Sequence, residues 1–134
     1  LSDTHSHRCA LPLMLPEDRD ERLLLVLLRR MAIHGLHDAR AGWMALENYG
    51  IGFRKPLVLM RCFLHELASA SKRNIRLAPC CAPRMTRDEG LMLAAIDLPS
   101  LDVLEALTDA GDVSRVMSAA HALRGELVRA ASAP

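Results

Sequence analysis

The fold is decided in residues 16–35, PEDRDERLLLVLLRRMAIHG. Pro16 suits the first turn of a helix, where a missing N–H costs nothing. Glu17, Asp18, Asp20 and Glu21 follow, and negative charge favours the positive end of the helix dipole. Leu24, Leu27, Leu28 and Met31 then recur at three- and four-residue steps, the buried face of an amphipathic helix. Gly35 can end it. The stretch therefore reads as a helix from Pro16 to His34. Val26 and Ile33 fall on the other side beside Arg29 and Arg30, and this second apolar strip suggests burial on two sides or a partner helix.

The same signals recur outward along the chain. A second helix is predicted from Asp38 to Tyr49, carrying Trp43 and Tyr49, with Gly50 and Gly52 breaking it. A third begins near Pro56 and runs to about Ser71. Thr86 and Glu89 form a capping box for a fourth, from Arg87 to Asp97. Ser100 can cap a fifth, ending near Asp109. After Gly111 and Asp112 comes a last helix, Val113 to about Ala131, in which Val113, Val116, Met117, Ala120, Leu123 and Leu127 share one face. Residues 1–16 show no period and read as an irregular N-terminal arm, and residues 17–134 as the helical domain. A length of 134 residues suits one domain. Aromatic residues make up only 3%, so the core must come from Leu, Ala, Met, Val and Ile, which favours helices. The expected fold is all-α, a single-domain bundle of about five to six short helices.

No run reaches the roughly 20 apolar residues of a membrane helix. The stretch LPLML is short and broken by Pro12, too little for a signal peptide. A cytoplasmic location is expected, with reduced cysteines and no membrane partner.

Net charge is +1, but it is unevenly placed. Residues 50–87 carry Arg54, Lys55, Arg61, Lys72, Arg73, Arg76, Arg84 and Arg87 against Glu66 alone, a net +7. Residues 88–134 carry a net −5. The two segments either neutralise each other within the molecule or leave a basic surface for an acidic partner.

The third helix places Cys62, His65 and Glu66 on one polar face. Cys80 and Cys81 follow, and Cys-x2-His-x14-Cys-Cys approximates the spacing of a structural site for zinc, with iron the other candidate. Adjacent side chains point apart, so one cysteine of the pair with Glu66 as fourth ligand is the better version. The simpler reading is a solvated helix face and a packed turn between Pro79 and Pro83. A vicinal disulfide would be strained, since consecutive Cα atoms lie about 3.8 Å apart. A reactive thiolate beside Arg84 and Arg87 is the other option. His5, His7 and Cys9 could hold a metal on the arm, while His34, His37 and His121 carry no clear signal. Arg124 falls inside the apolar sector of the last helix, where it either snorkels to the edge or meets a buried acid or a partner.

Helix two, the Gly-Ile-Gly turn and helix three loosely suggest a helix-turn-helix. Against sequence-specific reading, the chain has no Gln and only Asn48 and Asn74. Nonspecific phosphate contact remains as a nucleic-acid reading. No phosphate loop, nucleophile elbow or His-Glu-x-x-His helix is present, so no enzyme is evident.

Three motifs, HGLHDA (34–39), RKPLVL (54–59) and APCC (78–81) followed by RMT (84–86), resemble a small family of alphaproteobacterial proteins of unknown function. The resemblance covers about half the chain and omits the arm and the last two helices. It implies a free-standing bacterial cytoplasmic protein and supplies no activity, cofactor or catalytic residue. The expected function is a small interaction or regulatory module whose basic segment, 54–87, meets an acidic protein. Self-association through Val26, Ile33, Trp43 and Tyr49 is a second form of the same reading. The alternatives are a metal- or thiol-dependent sensor on Cys62, His65, Cys80 and Cys81, and a nonspecific nucleic-acid binder.

Overall fold

The computed structural model describes residues 11–132. Among them are six α-helices: α1 (Arg19–His34), α2 (Ala39–Tyr49), α3 (Arg54–Ala70), α4 (Arg87–Asp97), α5 (Leu101–Thr108) and α6 (Ser114–Ser132). A two-strand antiparallel sheet joins β1 (Leu13–Met14) to β2 (Arg84–Met85). The expected all-α bundle is the observed one. None of these helices is long and apolar enough to cross a membrane.

Local chemistry sets most helix ends. Asp18 caps α1 by accepting from the Glu21 amide at 3.0 Å, so Pro16 lies ahead of the helix, not in its first turn. Asp38 caps α2 and Ser100 caps α5 in the same way. At α4 the capping box is complete, with Thr86 and Glu89 each satisfying the other's backbone N–H. Gly35 and Gly50 close α1 and α2 with φ of 111° and 72°, values that disfavour side chains bearing a β-carbon. The chain does not then open into a loop. A 3-10 turn, Gly50–Phe53, leads straight into α3, which therefore begins two residues before Pro56. After α5 the left-handed position falls on Asp109 (φ 57°), not on Gly111.

The centre of the bundle is α3 against α6. Lys55 pairs with Glu126 and Glu66 with Arg115, so the start of α3 lies beside the end of α6 and the two helices run antiparallel. Leu57, Met60, Phe63 and Leu67 face Val116, Ala120 and Leu123 in one continuous core with Leu24, Leu27, Leu28 and Met31 of α1. Helix α4 adds Met92 and Ile96, and α5 adds Leu104 and Leu107. The second strip expected at Val26 and Ile33 is not a buried side; the one buried arc of α1 is instead widened by Leu25 and Arg29, both about 1% exposed. Ile33 stands 51% exposed on the outside.

The described part of the arm is less irregular than expected. Leu13 pairs with Met85 and Met14 with Arg84, and the Arg84 guanidinium donates to the carbonyls of Leu11 and Pro12. Leu13 rests so close to α4 that a β-carbon at Gly90 would meet its Cδ1 at 2.5 Å. His5, His7 and Cys9 lie outside the described residues.

The core assignment has a direct check. Phe63 is fully buried and Trp43 is 62% exposed. Phe63→Ala is expected to lower the unfolding free energy by about 3–5 kcal/mol, by lost burial plus cavity. Trp43→Ala should stay within about 0.5 kcal/mol, as surface changes do. Urea titration followed by circular dichroism measures both.

Candidate functional site

The polar centre of the molecule is a buried ion pair. Arg29 on α1 is 1% exposed and Glu89 on α4 is fully buried. Arg29 Nε donates to Glu89 Oε2 at 2.6 Å and Nη2 to Oε1 at 2.9 Å, a two-pronged contact that matches the planar fork to the carboxylate. The remaining capacity of both groups goes to backbone. Arg29 Nη1 donates to the Ala82 carbonyl at 3.2 Å and Nη2 to that of Arg84 at 2.9 Å. Glu89 accepts from the amides of Ala78 at 3.1 Å and Thr86 at 2.9 Å. Four of the five guanidinium N–H groups and both carboxylate oxygens are thus hydrogen-bonded, the condition under which a buried ion pair is tolerable.

This pair clamps the segment between α3 and β2. Within it the Ala82 amide donates to the Pro79 carbonyl at 3.0 Å, a turn with Cys80 and Cys81 at its middle. Upstream, the Lys72 amide donates to the Thr108 carbonyl, Arg73 pairs with Asp88, the Arg76 amide donates to Asp88, and the Thr86 hydroxyl donates to the Arg76 carbonyl. Segment 71–83 contains no helix or strand. It is held instead by side chains from the first turn of α4 and from α1, which answer its backbone donors and acceptors.

Cys80 sits half-buried on this turn, with Arg30 Nη1 donating to its Sγ at 3.8 Å. Arg30 is held in turn by Asp38, through Nε at 2.9 Å and Nη2 at 3.4 Å. The hydrogen bond from Arg30 keeps the Asp38 carboxyl below the usual carboxylate range, and the Asp38 partner raises the Arg30 guanidinium. Asp38 also accepts from the Ala41 amide as the cap of α2. Cys81 and Cys62 are exposed.

The expected metal ligands are not brought together. Among the described residues no group of three or more His, Cys, Asp or Glu side chains could hold a metal ion. Cys62 and His65 lie on the exposed outer face of α3, while the Cys80 sulfur is turned toward a guanidinium on α1, a poor neighbour for a second cation. Glu66 is directed at Arg115.

The basic segment divides in two. Lys55 pairs with Glu126, Arg61 donates to the Leu36 carbonyl, Arg73 pairs with Asp88, and Arg84 holds the arm. The Glu126 carboxylate lies 3.5 Å from both Lys55 and Arg129, ion-paired without a hydrogen bond at Oε1. Arg54, Lys72, Arg76 and Arg87 are exposed, and none has an ion-pair partner among the described residues. Arg54 lies over the Phe53 ring at the start of α3, and Lys72 lies just past its end. A helix of 17 residues separates them by about 25 Å, so the eight cations do not form one patch. Lys72, Arg76 and Arg87 remain together near the start of α4.

On the opposite flank, a cleft of about 810 Å³ lies among α1, α2, α4 and α6. Leu23, Leu93 and Leu127 line it together with Asp20, Glu47 and Tyr49. Burial, helped by the Asp20 charge, pushes the Tyr49 phenol up to about 12. Arg124 reaches the edge of the cleft and meets the exposed Asp97 there, 3.0 Å away, so it snorkels and no buried acid receives it. Sequence reading missed Arg29 and half of what Glu89 does. A signal existed: Arg29 is one helical turn beyond Leu25, within the apolar arc of α1.

Residues 3–133 match a family of unknown function, DUF6628. The chain belongs to that family. The match extends past the motifs on which the resemblance rests and takes in the last two helices. No curated protein and no solved structure matches the chain.

Two outcomes follow for the family member described here. Arg29→Met leaves the Glu89 carboxylate buried beside two amides only, and is expected to cost about 3–5 kcal/mol in urea unfolding. Arg29→Met with Glu89→Gln should cost less than the sum of the single changes, as in any directly coupled pair. The second outcome concerns pH. Asp38 titrates lower when folded than when unfolded, so its stabilisation is complete above the unfolded value of ~3.9 and is lost as pH falls through the folded value. Asp38→Asn, which can still cap α2, should flatten the pH dependence of stability below about pH 4.

Proposed function

We propose that this chain is a small cytoplasmic interaction module, not an evident enzyme, whose basic end near the start of α4 meets an acidic protein partner. One observation carries the reading. Half of the cations in segment 54–87 are used inside the molecule, whereas Lys72, Arg76 and Arg87 stand exposed and unpaired among the described residues. Lys72 and Arg76 lie on the clamped segment and Arg87 opens α4, whose first turn holds that segment, so backbone contacts keep the three near one another in support of a basic surface. Self-association is the variant in which the acidic partner is a second copy. The exposed Ile33 and Trp43 then supply apolar contact at the join.

The test is fluorescence anisotropy with a labelled 20-residue polyglutamate peptide and, in parallel, a 20-base-pair DNA duplex. Polyglutamate is expected to bind, and to weaken by about tenfold in Arg76→Glu with Arg87→Glu, while Arg54→Glu at the far end of α3 changes little. Tighter binding to DNA, with affinity falling roughly 40-fold between 50 and 200 mM salt as three phosphate contacts require, would replace the acidic protein by nucleic acid. Failure to bind either probe at 50 mM salt would remove the basic-surface reading.

A further inference from the structure

We propose that residues 75–77 form an open strand edge that takes up an extended segment of an acidic protein partner as an added antiparallel strand. The inference rests on the basic-surface reading above and names how that partner is held. Residues 74–79 run without a bend or turn. Lys72, Asn74 and Arg76 are exposed, whereas Ile75 and Leu77 are half-buried and packed against the core. This is the two-residue period of a strand, yet no strand pairs with the segment among the described residues.

In an extended chain the backbone groups of alternate residues face opposite edges. The first turn of α4 and its cap answer one edge. The Arg76 amide donates to Asp88 at 2.8 Å, the Ala78 amide donates to Glu89 at 3.1 Å, and the Arg76 carbonyl accepts from the Thr86 hydroxyl at 2.7 Å. The other edge belongs to Ile75 and Leu77. Among the described residues, neither their N–H nor their C=O groups have a hydrogen-bond partner. Both ends of this edge are closed. The Ser71 hydroxyl answers the amide and the carbonyl of Arg73, while Pro79 has no N–H and its carbonyl accepts from the Ala82 amide. Two N–H and two C=O groups remain, as many as two hydrogen-bonded pairs of an antiparallel ladder consume. Such an edge is a template for a further strand.

The surroundings of the edge set the chemistry of its occupant. Ile75 and Leu77 line a groove of about 560 Å³ together with Met31, Leu36, Leu64 and Leu67. Residues of the added strand opposite Ile75 and Leu77 share their face, so they are directed at this groove and are apolar. The residue between them falls opposite Arg76 on the exposed face, where cross-strand Cβ atoms lie about 4.5–5.5 Å apart. Arg76 and Lys72 have no ion-pair partner among the described residues, which favours an acid at that position. The pattern recognised is therefore apolar, acidic, apolar in an extended strand. Backbone pairing supplies the affinity, and the alternating side chains supply the selection.

The probe is a fluorescent, C-terminally amidated peptide of alternating Val and Glu, titrated with the full chain and followed by anisotropy. Two further peptides carry N-methyl groups on every Val or on every Glu. Methylation at Val removes the donors that face the edge, and methylation at Glu removes those that face away. The parent peptide is expected to bind, the N-methyl-Val peptide to bind about tenfold more weakly, and the N-methyl-Glu peptide to match the parent within about threefold. Hydrogen exchange read by NMR gives the protein's side of the contact. The Ile75 and Leu77 amides should exchange freely in the unbound chain and slow by about tenfold or more at saturating peptide, while those of Arg76 and Ala78 stay protected throughout. Equal affinity of the two methylated peptides, or no protection of Ile75 and Leu77 at saturation, would overturn the strand edge. Polyglutamate binding would then still stand, and with it the basic-surface reading. Protection of those two amides before peptide is added would also overturn the proposal, because the edge would already be covered by this chain or a second copy of it. So would failure of the parent peptide to bind, whatever polyglutamate does.

Discussion

The contact between Arg29 and Glu89 is the constraint on which the rest of this bundle's polar architecture depends. A guanidinium and a carboxylate removed from water are costly unless their hydrogen-bonding capacity is used. Here that requirement reaches well beyond the pair. Glu89 accepts from Arg29, Thr86 and Ala78, and Arg29 also takes the carbonyls of Ala82 and Arg84. Two side chains thus join α1 to α4, finish the cap of α4 and hold the connecting segment. The effect passes on through Arg84, whose backbone is fixed by Arg29 while its side chain reaches the carbonyls of Leu11 and Pro12. The described part of the arm therefore depends, at one remove, on a charge in the core.

The helices were legible because their signals are local. Asp18, Asp38, Thr86 with Glu89, and Ser100 each lie within four residues of the amides they cap, and each helix repeats its apolar positions over a few turns. The burial of Arg29 had a local signal, its place one turn beyond Leu25, but its partner did not. Its partner is 60 residues away, and next to Arg30 it looks like any solvated cation. Glu89 was found for its cap, which is local, and missed for its ion pair, which is not. The metal reading failed on the same ground, since Cys62 and Cys80 are related by spacing in the chain but are directed at different surroundings in the fold. Helix α5, expected to end near Asp109, ends at Thr108, and Asp109 itself takes the left-handed position.

Charge counted along the chain also hides its geometry. The net −5 of residues 88–134 does partly neutralise the +7 before it, but through named contacts: Asp88 to Arg73 and Glu126 to Lys55. Glu89 takes no part in that exchange, because its arginine comes from α1. Internal neutralisation accounts for the cations lying against α4 and α6, and what is left over sits at the edge of the clamped segment. Exposed charges there add little to stability, where screened pairs are worth about 0–1 kcal/mol, so the fold does not need them.

Two adjacent arginines on α1 divide the work on the Cys80 turn. Successive residues of a helix point about 100° apart, and that step takes the chain from the buried arc of α1 at Arg29 to its edge at Arg30. Arg29 enters the core and fixes the turn by its backbone. Arg30 stays at the half-buried edge and reaches the turn's sulfur, anchored by Asp38. The Cys80 sulfur is thus linked through Arg30 to Asp38, the cap of α2, and not to the Arg29–Glu89 pair. The backbone of the turn is secured by one arginine while its sulfur answers to the other.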